Sequence, residues 1–289
     1  MRLSSPSPAF LVVTWIGALS TNPLCSTTTA LQTEITITDA THGSSNTNDS
    51  PFLAFENAQE LKGAVDLYLD YHVNAPENQR LGVNTLYLEQ LDIYGDIANW
   101  NVQKVDNFAN LFSYKRNALV VNATHLDLSR WNVSNAQYLQ DMFLGASKIN
   151  FDVSLWDVRK AQHFNGMFEK AASFQGWGLE HWNVSQGQLF GSMFSSATSL
   201  YPDLDLSSWE LKSATDLENM FRDSSYGKTL PGNEDINIAM CAWVQHLDPS
   251  VKVTNMFADS QCTTASDPVL TDEFRDIQFC GPCSEWIEE

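Results

Sequence analysis

The sequence predicts a repeat solenoid, in which units of about 25 residues stack into one array capped at both ends. Three observations predict it. Tryptophan recurs at Trp100, Trp131, Trp156, Trp182 and Trp209, followed by Asn-Val, Asp-Val or Glu-Leu. Twelve residues after each tryptophan sits Phe112, Phe143, Phe168, Phe194 or Phe221, preceded by Leu111, Met142, Met167, Met193 or Met220. Three residues before that Leu or Met come Phe108, Leu139, Phe164, Phe190 and Leu217. A sixth, longer copy carries Trp243 and Met256-Phe257.

The chain opens on a targeting pattern. Arg2 precedes an apolar run from Ala9 to Leu19, with small residues Ala18 and Ser20 placed for cleavage. Eleven residues suit a signal peptide (1–20) better than a membrane span, with an uncleaved signal anchor as the alternative. Residues 21–51 are rich in Thr, Ser and Asn, poor in aromatics, and read as a flexible Ser/Thr-rich leader. Residues 52–95 read as a helical N-terminal cap. Leu61, Ala64, Val65, Tyr68, Tyr71 and His72 share one helical face.

The repeat array spans 96–240. One unit cannot bury its own apolar residues, so stacking must turn each recurring position into an internal column. The segments Leu126–Ser129 and Leu204–Ser207 alternate apolar and polar residues, which predicts one short parallel strand per unit. Val133, Ala136, Leu139, Met142, Phe143 and Ala146 fall at steps of three and four, which predicts a short helix or 3₁₀ turn opposite the strand. A strand with a helical return is a leucine-rich-repeat-like plan. Residues 241–289 hold the last repeat and a Cys-rich C-terminal cap.

These units carry a resemblance. Residues 126–136 (LDLSRWNVSNA) and 140–147 (QDMFLGAS) resemble the BspA-like leucine-rich-repeat surface proteins, and more narrowly the branch seen in mycoplasma surface lipoproteins. The cap segment 55–71, the first repeat at Tyr94–Trp100 and the Cys-bearing tail are similar as well, so the resemblance covers 52–283. It implies a secreted or surface protein with a role in adhesion or binding, and no catalytic residues. Two positions depart from the pattern: Gly178 stands where other units have Asp, and Gly187 at a usual Val position.

Four cysteines cluster late in the chain: Cys241, Cys262, Cys280 and Cys283. In a secreted chain they predict two disulfides closing a C-terminal cap, with three pairings open. A spacing near one repeat favours Cys241–Cys262, and Cys280–Cys283 then follows. Cys25 lies at the signal junction in a poor lipobox. Cys280-Gly-Pro-Cys283 also equals a thioredoxin-type dithiol, but that chemistry needs a following helix and strand. The motif sits too near the end of the sequence to supply them.

Asp96, Asp127, Asp152 and Asp205 lie four residues before their tryptophans, so stacking would align them on one edge. Aligned carboxylates repel. Bonds to backbone N–H groups of the next turn would offset this. Calcium held between turns is the second reading, disfavoured because no Gly-rich calcium loop accompanies the column. The six histidines show no metal-ligand spacing. No phosphate loop, dinucleotide fingerprint or nucleophile elbow occurs, so no cofactor and no catalytic residue is expected. Sequons at Asn48, Asn122, Asn132 and Asn183 are glycosylation candidates consistent with export.

Composition narrows the partners. With 16 basic and 35 acidic residues the net charge is -19, which repels phosphate and disfavours nucleic acid. At 43% hydrophobic the chain can bury a core. The expected function is a non-catalytic secreted or cell-surface binding or adhesion protein with an unidentified protein or glycan partner. Its contact face would use the variable positions before each tryptophan: Asn99, Arg130, Leu155, His181 and Ser208. The expected place is extracellular or at the cell surface, with membrane contact only through an uncleaved N-terminal segment. The alternatives are an extracellular matrix protein with a calcium-bridged acidic surface, and a thiol–disulfide oxidoreductase using Cys280 and Cys283.

Overall fold

Among the described residues, six coils meet through parallel backbone bridges that run Asn107, Tyr138, His163, Leu189, Asp216 and Lys252. The computed structural model describes residues 52–74, 85–124, 126–201, 204–227, 241–244, 247–262, 266–270 and 280. The expected signal peptide (1–20) and leader (21–51), with Cys25 and Asn48, lie outside these residues, as does Cys283.

The first element is helix α1, Ala58–Leu69. Asn57 starts it by accepting from the Gln59 and Glu60 N–H groups, which the helix itself cannot satisfy. Glu60 reaches back to the Glu56 N–H at 2.7 Å. Leu61, Ala64, Val65, Tyr68 and Leu69 are buried, as the helical face requires. The expected face extended to Tyr71 and His72. The helix instead widens into a π-helical turn at Asp70–Asn74, which leaves Tyr71 half-buried and His72 exposed. Helix α2, Thr85–Tyr94, buries Tyr87 and Gln90. Arg116 ties α1 to the first coil, donating from Nη1 to both Asp66 oxygens at 2.7 Å and from Nη2 to the Leu111 carbonyl at 2.6 Å.

The recurring side chains form the interior. Trp100, Trp131, Trp156, Trp182, Trp209 and Trp243 are all at most 3% exposed. The phenylalanine column is continuous: Phe112, Phe143, Phe168, Phe194, Phe221 and Phe257 stack at 5.4–5.8 Å. Each buried large side chain contributes about 1.5–3 kcal/mol by leaving water, and stacked rings add about 0.5–1.5 kcal/mol per pair. Each indole also needs a partner for its buried N–H. Trp100 donates to the Gly95 carbonyl at 2.9 Å, and each later one finds its partner in the previous coil, three residues before that coil's tryptophan. Trp131 donates to Ile97, Trp156 to Leu128, Trp182 to Val153, Trp209 to Leu179 and Trp243 to Leu206, at 2.7–3.0 Å.

The backbone differs from expectation inside each coil. Residues 126–129 form no strand: Asp127 opens a tight turn by accepting from the Ser129 N–H. The inter-coil ladder runs through 138–145, where a helix or 3₁₀ turn was expected. Leu139, Asp141, Phe143 and Gly145 donate to the carbonyls of His163, Asn165, Met167 and Glu169. Met142, Leu144 and Ala146 bond three residues back within their own coil. Asp141 and Gly145 hold φ of 55° and 69°, and such left-handed corners stop an α-helix from propagating. A chain of turns thus meets the same apolar spacing of three and four, and leaves N–H groups free to bridge coils. The four-bond ladder repeats from Phe164–Lys170, Phe190–Ser196 and Leu217–Asp223.

Candidate functional site

The site begins with a missing side chain. Asp96, Asp127, Asp152 and Asp205 each accept from the backbone N–H two residues on, at 2.8–3.0 Å. The expected bonds to the next turn are not the ones made. Each carboxylate caps its own turn, because that N–H is unpaired once the chain turns there. Gly178 breaks the column. Its φ is 93°, and a Cβ on it would sit 2.1 Å from the Ser154 nitrogen and 2.7 Å from Asp152 Oδ1. Only glycine fits that approach.

Gly176 also has a positive φ, 88°. Between the two glycines Trp177 is turned out of the core and is 51% exposed. The loop that carries it is anchored on both neighbours. Asn150 exchanges two hydrogen bonds with Gln175, through the Gln175 backbone N–H at 3.2 Å and its side-chain oxygen at 2.8 Å. Tyr201 N–H donates to the Gln175 carbonyl and Val153 N–H to the Trp177 carbonyl, both at 2.9 Å. Glu180 accepts from the Gly178 N–H at 3.1 Å. The indole of Trp177, alone among the described tryptophans, has no hydrogen-bond partner among the described residues.

Around this loop lies an open cavity of about 470 Å³. Trp177, Tyr201, Asp152, Ser154, Glu180, His181 and Asp205 line it, and Gly176, Gly178 and Leu204 complete it. Tyr201 is 47% exposed. No Lys or Arg pairs with Asp152 or Asp205 among the described residues. Glu180 has His181 at 3.7 Å. The cavity therefore combines two aromatic faces with a surplus of carboxylate acceptors.

A family model described as "Mycoplasma protein of unknown function, DUF285" matches residues 82–176 and again 114–231. Together the matches span 82–231, just over half of the 289 residues. The chain belongs to the DUF285 family. No curated protein and no solved structure matches it. The cavity residues from Asp152 to Asp205 all fall within the DUF285 span.

Elsewhere in this DUF285 chain the cysteines pair differently from expectation. Cys262 bonds to Cys280, not to Cys241. Cys241 and Cys262 flank one coil, the former two residues before Trp243 and the latter five after Phe257, so they are not stacked equivalents. Cys262 Sγ instead lies against the Tyr226 carbonyl in the preceding coil. Gly227 leaves room for the bridge, since a Cβ there would meet both sulfurs at 2.4–2.6 Å. Cys241 is disulfide-bonded too. Cys280 is consequently not paired with Cys283, as a resting CxxC redox couple would be.

Of the sequons, Asn122, Asn132 and Asn183 are exposed. Asn132 and Asn183 take equivalent places after their tryptophans, and each accepts from the Ser N–H two residues on at 3.1 Å. Among the described residues no group of three or more His, Cys, Asp or Glu gathers as a metal site, and no helix is long and apolar enough to cross a membrane. Sequence reasoning missed Trp177, Tyr201 and Glu180. The usable signal was Gly176-Trp177-Gly178, an off-register tryptophan between glycines at the unit that lacks its aspartate.

Proposed function

We propose that this chain is a non-catalytic secreted or cell-surface binding protein, and that its architecture is a leucine-rich-repeat-like solenoid of the BspA-like type. The observation that carries the function is the anchored Trp177 loop over an open cavity. A side chain with that much apolar surface is ordinarily buried, and exposing it beside Tyr201 costs solvation unless a partner covers it. The architecture is supported by the parallel bridges at each unit and by indole bonds from coil to coil.

Export is supported by the apolar run after Arg2, by exposed sequons at Asn122, Asn132 and Asn183, and by the Cys262–Cys280 bond, which belongs in an oxidising compartment. His181 is the one variable face position that lines the cavity. The reading is tested by adding labelled full-length protein to intact cells and to immobilised extracellular-matrix components. Saturable binding that unlabelled protein competes away is expected. Absence of saturable binding on every surface removes the proposal.

A further inference from the structure

We propose that the cavity beside Trp177 and Tyr201 is a saccharide-binding site, taking neutral or amino-substituted pyranose units and rejecting uronic, sialic and sulfated ones. This deepens the binding reading above and rests on it.

A pyranose has two kinds of surface, a patch of C–H bonds and a rim of hydroxyls. The first is met by an exposed aromatic face and the second by fixed acceptors. Trp177 and Tyr201 supply two such faces on one cavity, and neither ring stacks on another aromatic side chain among the described residues. Asp152 and Asp205 supply the acceptors. Each carboxylate is oriented by the N–H two residues on, at 2.8 and 2.9 Å, which holds one oxygen and leaves the other to a ligand hydroxyl. Gly178 stands where the coil between these two would carry its own carboxylate, and its bare backbone lines the cavity with them. The Trp177 indole N–H is a donor for a ring or glycosidic oxygen.

Size and charge narrow the class. About 470 Å³ lies in the range of sites that enclose small ligands. It is wider than a cage that must strip water from one ammonium group on aromatic walls. Asp152, Asp205 and Glu180 face it with His181 as the one basic side chain in the lining. A carboxylated or sulfated sugar would meet uncompensated repulsion there, while an amino group would be attracted. The loop needs little ordering on binding, because Asn150, Val153, Tyr201 and Glu180 already hold its backbone.

The test titrates full-length protein, followed by tryptophan fluorescence and calorimetry, with four probe sets. These are neutral oligosaccharides, glucosamine oligomers, acidic oligosaccharides (oligogalacturonate, sialyllactose, heparin fragments) and hexalysine. At least one neutral or amino saccharide should bind saturably, and Trp177→Ala and Tyr201→Ala should each weaken it tenfold or more. Gln103→Ala, exposed and outside the cavity, should change nothing. Acidic sugars should bind at least tenfold more weakly. The proposal is overturned if no neutral or amino saccharide binds at millimolar concentration, if Trp177→Ala binds as wild type, or if hexalysine binds more tightly than every saccharide and displaces it. Cell binding by Trp177→Ala separates the two readings: if retained at wild-type strength, the general binding function stands and the saccharide site falls.

Discussion

The indole N–H of Trp182 donates to the carbonyl of Val153 at 3.0 Å, across the boundary between two coils. The ring fills the core while its one polar atom joins the Trp156 backbone N–H on that carbonyl, so the buried indole N–H keeps a partner away from water. Replacing Trp182 with Phe keeps an aromatic ring but removes the bond between the two coils and leaves part of the volume empty. A loss of about 2–4 kcal/mol is expected. Trp177→Phe, exposed and outside the core, should change stability by no more than about 0.5 kcal/mol. Denaturant melts of both variants check the contrast, and equal losses would show that the indole bond contributes nothing.

Gly178 is expected to tolerate no side chain. Gly178→Ala puts a Cβ 2.1 Å from the Ser154 nitrogen at a φ of 93°. A left-handed backbone alone costs about 1–2 kcal/mol for an L residue, and the clash adds to it. Gly178→Asp, which restores the aspartate column, should be at least as destabilising. Thermal melts compared with Gly63→Ala supply the check, since Gly63 lies within α1 and has open space around its Cβ position. That control should hold or raise stability.

Arg116 should couple the N-terminal cap to the array. It bonds both oxygens of Asp66 and the carbonyls of Asn110 and Leu111. Arg116→Ala is expected to cost about 1.5–3 kcal/mol, the range for hydrogen bonds to a charged group. Hydrogen exchange should speed up in α1 more than in the ladder at 138–145. A uniform change across both segments would show that the cap is not selectively released.

Alkaline pH should destabilise the cap in a definite window. Burial pushes the Tyr68 and Tyr87 hydroxyls up from 10.0 to about 12, with Asp96 adding to the rise in both. Between pH 10 and 12 the unfolded chain loses these protons while the folded chain keeps them. The unfolded state then binds fewer protons, so stability falls as pH rises through this window and is fully present below pH 10. Tyr68→Phe should lessen the slope of melting temperature against pH between 10 and 12. An identical slope in the variant would assign the loss to other groups.

Disulfide mapping of non-reduced peptides should recover Cys262 joined to Cys280. A Cys280–Cys283 link instead would revive the redox reading. Cys262→Ser should lower stability by about 3 kcal/mol, given the 18-residue separation that the bond closes.

Much of the interior was legible because burial follows a simple period. The Trp, Met and Phe positions repeat at fixed offsets, and all of them are core. The segment at 138–145 was legible only as an apolar pattern. Steps of three and four serve a helix and a run of β-turns equally, and the left-handed corners at Asp141 and Gly145 depend on partners a whole coil away. The aspartate column was found, but its bonds were assigned to the wrong N–H groups, since the choice between own turn and next turn depends on distances between coils. The cavity showed in the sequence only as a defect in the pattern at Gly178.

By itself the sequence determined which residues leave water, because hydrophobic periodicity is written one unit at a time along the chain. The tertiary structure alone decided which N–H meets which carbonyl, that Cys262 takes Cys280, and that Trp177 and Tyr201 come to share a cavity with Asp152 and Asp205. Those outcomes depend on contacts between residues about 20–50 positions apart, and stacking brings such residues together without leaving any local signature of the pairing.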